Sequence, residues 1–162
     1  MSDPPRGWLS DGQQRAWRSL LEATQILFTG LERQLHADTG MSHGDYEVLV
    51  RLSEAPGRMI RMSELADQAT LSRSRLSHAV TRLEGLGWVH RDRCPTDKRG
   101  TFAHLTDAGF AALEAAAPGH VETVRRFVFD ALSAGQVREL EDIGLRIRAQ
   151  VEAETKRASS PV

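Results

Sequence analysis

The strongest constraint on this chain is a pair of helix signals set a few residues apart, the second far more basic than the first. Met62-Ser63-Glu64-Leu65-Ala66 opens a short helix that closes at Ala69-Thr70-Leu71. Ser72 then stands as an N-cap ahead of a longer helix that sends Leu76, Ala79, Val80, Leu83 and Leu86 to one side. Gly85 and Gly87 end it. Trp88-Val89-His90-Arg91 and Thr101-Phe102-Ala103-His104-Leu105 follow, and their aromatic and branched content predicts two strands. Between them lies a charged loop, Asp92 to Gly100, bounded by turn residues. Two short helices joined by a tight turn and followed by a hairpin are a winged helix-turn-helix.

The flanks predict long helices. Ser10 or Asp11 caps a first one, in which Trp17, Leu20, Leu21, Thr24, Leu27, Phe28, Leu31 and Leu35 recur at spacings of three and four. At about 1.5 Å per residue it runs nearly 40 Å, more than one small core can cover, so a partner helix is expected on its apolar side. Gly40 stops it. Ser42 with Asp45 makes a capping box for a second helix carrying Tyr46, Leu49, Val50 and Leu52 inward, ending at Pro56-Gly57. Thr106 caps a helix in which Pro118-Gly119 predicts a kink or break, and Ser133 with Gln136 starts the last one, whose Val137, Leu140, Gly144, Ile147 and Val151 suit helix pairing.

The fold class expected is mainly α with a small β-hairpin wing, the winged helix-turn-helix being flanked by N- and C-terminal dimerisation helices. The boundaries expected are a disordered 1–9, a dimerisation helix over 10–38, the DNA-binding domain over 42–105 with its recognition helix at about 72–86 and wing at about 88–105, dimerisation helices over 106–156 and a disordered 157–162.

A net charge of -1 over 162 residues hides an asymmetry. Arg58 to His104 holds nine Lys or Arg against five Asp or Glu, a balance of +4 that leaves -5 for the rest. One basic stretch on an otherwise acidic chain is the charge distribution a protein needs to approach phosphates with one face. No apolar run approaches a membrane span, and the polar start from Met1 to Gly12 does not resemble a secretory signal, so a cytoplasmic protein without a membrane partner is expected. The single cysteine, Cys94, excludes an internal disulfide framework.

Motifs for enzymatic chemistry are missing: no Gly-rich phosphate loop, no Gly-x-Ser-x-Gly elbow and no His-Glu-x-x-His helix. His36, His43, His78, His90, His104 and His120 show no tight ligand spacing and are read as scattered surface histidines, so no metal or other cofactor is expected. Cys94 lies near Arg91, Arg93 and Arg99, which would lower a thiol pKa.

The order and spacing of several stretches resemble the MarR family of transcriptional regulators over roughly Ser10 to Glu152. They are Met41-Ser42 leading into Tyr46-Glu47-Val48-Leu49, then Met62-Ser63-Glu64-Leu65-Ala66, Ser72-Arg73-Ser74-Arg75-Leu76-Ser77 and Arg82-Leu83-Glu84-Gly85-Leu86-Gly87-Trp88-Val89. Arg91, Asp97-Lys98-Arg99 and Leu105-Thr106-Asp107-Ala108-Gly109 continue the match. The resemblance implies a triangular homodimer with its terminal helices interleaved, one winged helix at each base corner, and a default role as repressor at a pseudo-palindromic operator. It also implies a small-molecule effector, phenolic or anionic, bound between the dimer helices and the DNA-binding lobe. Trp17, Leu20, Thr24, Phe28, Tyr46 and Val50 are the candidates for that pocket, with plain core as the alternative. Family members that sense peroxide carry a cysteine in the first helix, and this chain has none there.

A helix in the major groove meets base edges with the polar side chains of its first turns. Ser72, Arg73, Ser74, Arg75, Ser77, His78, Thr81 and Arg82 form that face. Arg73 and Arg75 suit bidentate pairing with guanine, and Ser72, Ser74, Ser77, Thr81 and Arg82 suit phosphates. In the wing, Asp97 and Arg99 match the family's Asp-x-Arg pair, the arginine entering the minor groove and the aspartate orienting it, with Lys98 and Arg93 on phosphates. The competing reading is a winged-helix dimer that contacts protein and lacks operator specificity. It gives no reason for Arg73, Arg75, Lys98 and Arg99 to occur together.

Overall fold

A computed structural model describes residues 7–69, 71–93 and 100–159. They fall into two units, one up to Val121 and one from Glu122. In the first unit, α1 (Asp11–Thr39) starts on a complete capping box between Ser10 and Gln13 and stops at Gly40, whose φ of 73° is the left-handed conformation that ends helices. Helix α2 (His43–Glu54) starts on the Ser42–Asp45 capping box. A short 3₁₀ turn (Pro56–Arg58) leads to β1 (Met59–Arg61), then come α3 (Met62–Gln68), α4 (Arg73–Gly85), β2 (Val89–Arg93), β3 (Thr101–Leu105) and α5 (Asp107–Phe127).

The core of this unit is built from the inward faces of α2, α3 and α4, joined by the end of α1. Leu35, Val48, Leu49, Leu52, Leu65, Leu76, Val80 and Leu83 are fully enclosed there, and each such aliphatic side chain contributes on the order of 1.5–3 kcal/mol. The sheet has a strand more than the hairpin expected. Its order is β1-β3-β2, antiparallel throughout, with Ile60 opposite Ala103 and Arg91 also opposite Ala103. Strand β1 is three residues long and its only deeply buried side chain is Ile60, too short a run to show an alternating pattern.

The junction of α4 with the wing is a Schellman turn. Trp88 N donates to Leu83 O and Gly87 N to Glu84 O, both at 2.9 Å, with Gly87 at φ 72°. Thr106 then fastens the far end of the wing to this turn. Its backbone N–H reaches Trp88 O at 3.0 Å, its hydroxyl donates to Gly87 O at 2.8 Å, and the same oxygen accepts from Gly109 N.

Helix α5 continues through Pro118, so the break offered as one of two expectations there does not occur. A proline inside a helix removes one backbone donor, and the buried Leu113 and Ala116 just before it are packed on the core. The second unit comprises the end of α5, a 3₁₀ turn (Phe129–Ala131) and α6 (Ala134–Ser159). Ser133 and Gln136 form the expected capping pair at its start, and α6 continues to Ser159, three residues past the expected helix end at 156. No helix among the described residues is long and apolar enough to cross a membrane.

Candidate nucleic-acid interface

Helix α4 separates its two faces cleanly. Leu76, Ala79, Val80 and Leu83 are buried, while Ser72, Arg73, Ser74, Arg75, Ser77, His78, Thr81 and Arg82 are all exposed on the other side. Ser72 caps the helix, its hydroxyl accepting from Arg75 N at 3.3 Å. That bond occupies a group expected on phosphate and fixes the first turn, where the helix N-terminus already favours anions. Arg73, Arg75 and His78 have no ion-pair partner among the described residues. The guanidinium groups of Arg73 and Arg75 and the His78 ring therefore remain available.

Arg82 belongs to a different arrangement from the one expected. Its Nη2 donates to Asp45 Oδ1 at 2.7 Å and its Nε lies 3.4 Å from Asp45 Oδ2. The Asp45 side chain is 10 % exposed and also accepts from the Ser42 hydroxyl at 2.7 Å and the Ser42 backbone N–H at 3.2 Å. A nearly buried carboxylate needs such partners, because leaving it unpaired costs more than the pair itself yields. Arg82 thus ties α4 to the start of α2, with its side chain still 55 % exposed on the basic face.

Arg91 makes the matching tie on the wing side. It ion-pairs with Glu84 and donates to Thr81 Oγ1 at 3.2 Å, so the hydroxyl of Thr81, also expected on phosphate, is shared with β2. Arg93 is exposed at the end of β2, opposite Thr101. Cys94, Asp97, Lys98 and Arg99 lie outside the described residues.

A cleft of about 800 Å³ opens between α1, α2 and α4, lined by Phe28, Glu32, His43, Glu47, Arg75, His78 and Arg82 among others. Its two carboxylates are engaged, Glu32 by the His43 backbone N–H at 2.6 Å and Glu47 by Arg51 at 3.5 Å. Of the six residues expected to line an effector pocket, only Phe28 reaches this cleft. Tyr46 is core, Val50 packs against the core, Trp17 and Leu20 are exposed, and the Thr24 hydroxyl bonds back to Leu20 O at 2.7 Å. Helical rise explains the dispersal, since Trp17 and Phe28 are separated by three turns of α1.

Behind the cleft, the Tyr46 and His120 rings lie 4.4 Å apart, with His43 6.2 Å from His120. Burial, reinforced by His43 and opposed by Glu47, holds the His120 pKa below the ordinary histidine value. Burial pushes the Tyr46 phenol up, and Glu47 adds to the effect.

A helix-turn-helix with an exposed basic face, braced by a three-stranded wing, defines a winged-helix DNA-binding protein. The sequence profile of the MarR family matches residues 41–101. Among solved structures, the chain is similar to Sco3205, a MarR family transcriptional regulator from Streptomyces coelicolor in complex with DNA, at 53 % identity and a TM-score of 0.83, covering 90 % of this chain and 91 % of that one. It is also similar to AbsC, a MarR family regulator of the same organism, at 41 % identity and a TM-score of 0.83, covering 90 % and 98 %. The transcriptional repressor YetL of Bacillus subtilis is 30 % identical over 88 residues, 54 % of this chain and 53 % of that protein. The chain spans about half the length of the curated relatives it matches. It belongs to the MarR family of transcriptional regulators, whose members are DNA-binding regulators and not enzymes.

Proposed function

We propose that this protein is a homodimeric, ligand-responsive repressor acting in the cytoplasm on a pseudo-palindromic operator. The observation that carries the reading is the unpaired basic face of α4, where Arg73 and Arg75 stand exposed over a buried row of Leu76, Ala79, Val80 and Leu83. In the major groove Arg73 and Arg75 read base edges, guanine being the base that offers a guanidinium two acceptors. Ser74, Ser77 and the α4 N-terminus hold phosphates, and Arg93 and Lys98 do so from the wing. Arg99, oriented by Asp97, enters the minor groove.

Dimerisation is supported within each unit by apolar side chains left in solvent. Trp17, Leu20, Leu21 and Ile26 are exposed on α1, and Leu140, Ile143, Ile147 and Val151 on α6, more than scattered surface residues would supply. A two-fold dimer fixes half-sites about one helical turn apart. The effector site is the cleft between α1, α2 and α4. Its carboxylates are engaged while Arg75 and His78 are not, which favours a small anionic or phenolic ligand beside the Phe28 ring. Because Arg75 serves both the cleft and the reading face, a bound anion draws it from DNA and couples the two events.

The test is binding of the purified protein to its own upstream intergenic DNA and to a scrambled duplex over a salt series, for wild type, Arg75→Ala and Arg99→Ala. Specific, salt-steep binding weakened by either substitution is expected, each lost base contact costing about 1–3 kcal/mol. Equal weak binding to both duplexes, unchanged in the variants, refutes operator recognition.

A further inference from the structure

On an exposed face of the sheet, His90 and Asp92 of β2 converge with His104 of β3, more than ten positions further along the chain. His90 and His104 are direct cross-strand partners on β2 and β3, their rings stacked at 4.6 Å with planes 9° apart. Asp92 lies two residues along β2 from His90 and so shares its face. Its Oδ2 is 3.3 Å from His90 Nε2 and 3.4 Å from His104 Nε2. The ligating atoms of all three lie within 4.8 Å of one another.

Those separations carry geometric information. A tetrahedral Zn²⁺ with bonds of about 2.0–2.1 Å holds its ligand atoms about 3.3–3.4 Å apart. Both Asp92 edges already have that length, and the third closes when the two imidazoles leave their parallel stack and swing so that their in-plane lone pairs converge on the ion. The donor set of two imidazoles and a carboxylate belongs to borderline divalent metals, not to soft thiolate-seeking ions or to all-oxygen calcium sites. His104 is the most enclosed of the three, with its side chain 24 % exposed, while His90 and Asp92 are more than half exposed. A fourth position is therefore open to water.

We propose that His90, Asp92 and His104 form a binding site for a divalent transition-metal ion, with Zn²⁺ as the reference ion. Bound there, the ion links β2 to β3 one residue before Arg93 and stiffens the hairpin that carries the wing loop. Its effect on operator affinity rests on the DNA-binding function proposed above, whereas metal binding itself does not.

The experiment uses tag-free, chelator-stripped full-length protein without DNA. Zn²⁺ is titrated calorimetrically, and Co²⁺ is followed by its visible absorption. One ion per chain is expected, with Zn²⁺ raising the thermal midpoint. His104→Gln and Asp92→Asn each weaken the site at least about tenfold and abolish that rise, and the exposed His36→Gln changes neither. Circular dichroism of each variant verifies that it is folded. No binding in the micromolar range by wild type overturns the proposal, as does binding that His104→Gln and Asp92→Asn leave unchanged, which would place the ion elsewhere, for example at the His43–His120 pair. Loss of DNA binding in the earlier test leaves this outcome standing.

Discussion

Gly109→Ala sets two effects of opposite sign against each other. In an ordinary helix the change is stabilising by about 1 kcal/mol, because alanine is the better helix former. Here the added Cβ would lie 2.2 Å from Trp88 O, 2.8 Å from Leu105 Cδ1 and 2.9 Å from Trp88 C. Ordinary carbon–oxygen contacts are about 3.3 Å or longer, so the backbone at Trp88 has to retreat by roughly 1 Å. That carbonyl accepts from Thr106 N at 3.0 Å and, at 3.1 Å, shares with Gly87 O the one hydrogen of the Thr106 hydroxyl. Losing both bonds costs about 1–3 kcal/mol, and the forced displacement of packed backbone costs about 1–3 kcal/mol more. The clash wins, and subtracting the helix gain of about 1 kcal/mol leaves a net loss of about 1–5 kcal/mol. For a chain of this size that lowers the thermal midpoint by roughly 2–20 °C at fixed protein concentration. Urea melts of wild type and variant measure it. A variant as stable as wild type, or more so, refutes the account of how the wing is fastened to α5.

Arg82→Ala distinguishes a strut from a DNA ligand. Because Arg82 is half exposed, the stability loss should be only about 1–2 kcal/mol, with a coupling to Asp45→Ala of about 1 kcal/mol in a double-mutant cycle. The salt slope of DNA binding, read well below the melting range, should not change; a decrease of about one would make Arg82 a phosphate contact after all. The depressed His120 pKa gives a sign for acid sensitivity. The unfolded chain takes up a proton near pH 6.5 while folded His120 resists it, so this contribution is intact above that pH and is lost as pH falls through and below it. His120→Phe, which keeps a ring against Tyr46, should flatten the fall of thermal midpoint between pH 7 and 5; an unchanged slope assigns the acid sensitivity to other groups.

What short range governs could be read along the chain. The caps at Ser10, Ser42, Ser72 and Ser133, the stop at Gly40 and the turn at Gly87 each depend on residues within about one helical turn, so the helices, the two hairpin strands and the exposed basic face of α4 were legible as sequence. Motif and spacing together identified the family. Side-chain alliances across elements were not legible. The composition of Arg82 says only that it is cationic and solvent-facing; its attachment to Asp45, 37 positions earlier, exists because α2 and α4 pack against each other. The histidines illustrate the same limit. A search for ligands one turn apart passes over His90 and His104, which antiparallel register places side by side although fourteen positions separate them. Gly109 reads as a poor helix residue until the Trp88 carbonyl is found against its Cα, and β1 is too short to announce itself without β3 beside it. Local propensity acts through neighbours in the chain, whereas pairing across helices and strands is set by burial and register, which arise only when the whole domain closes on its core.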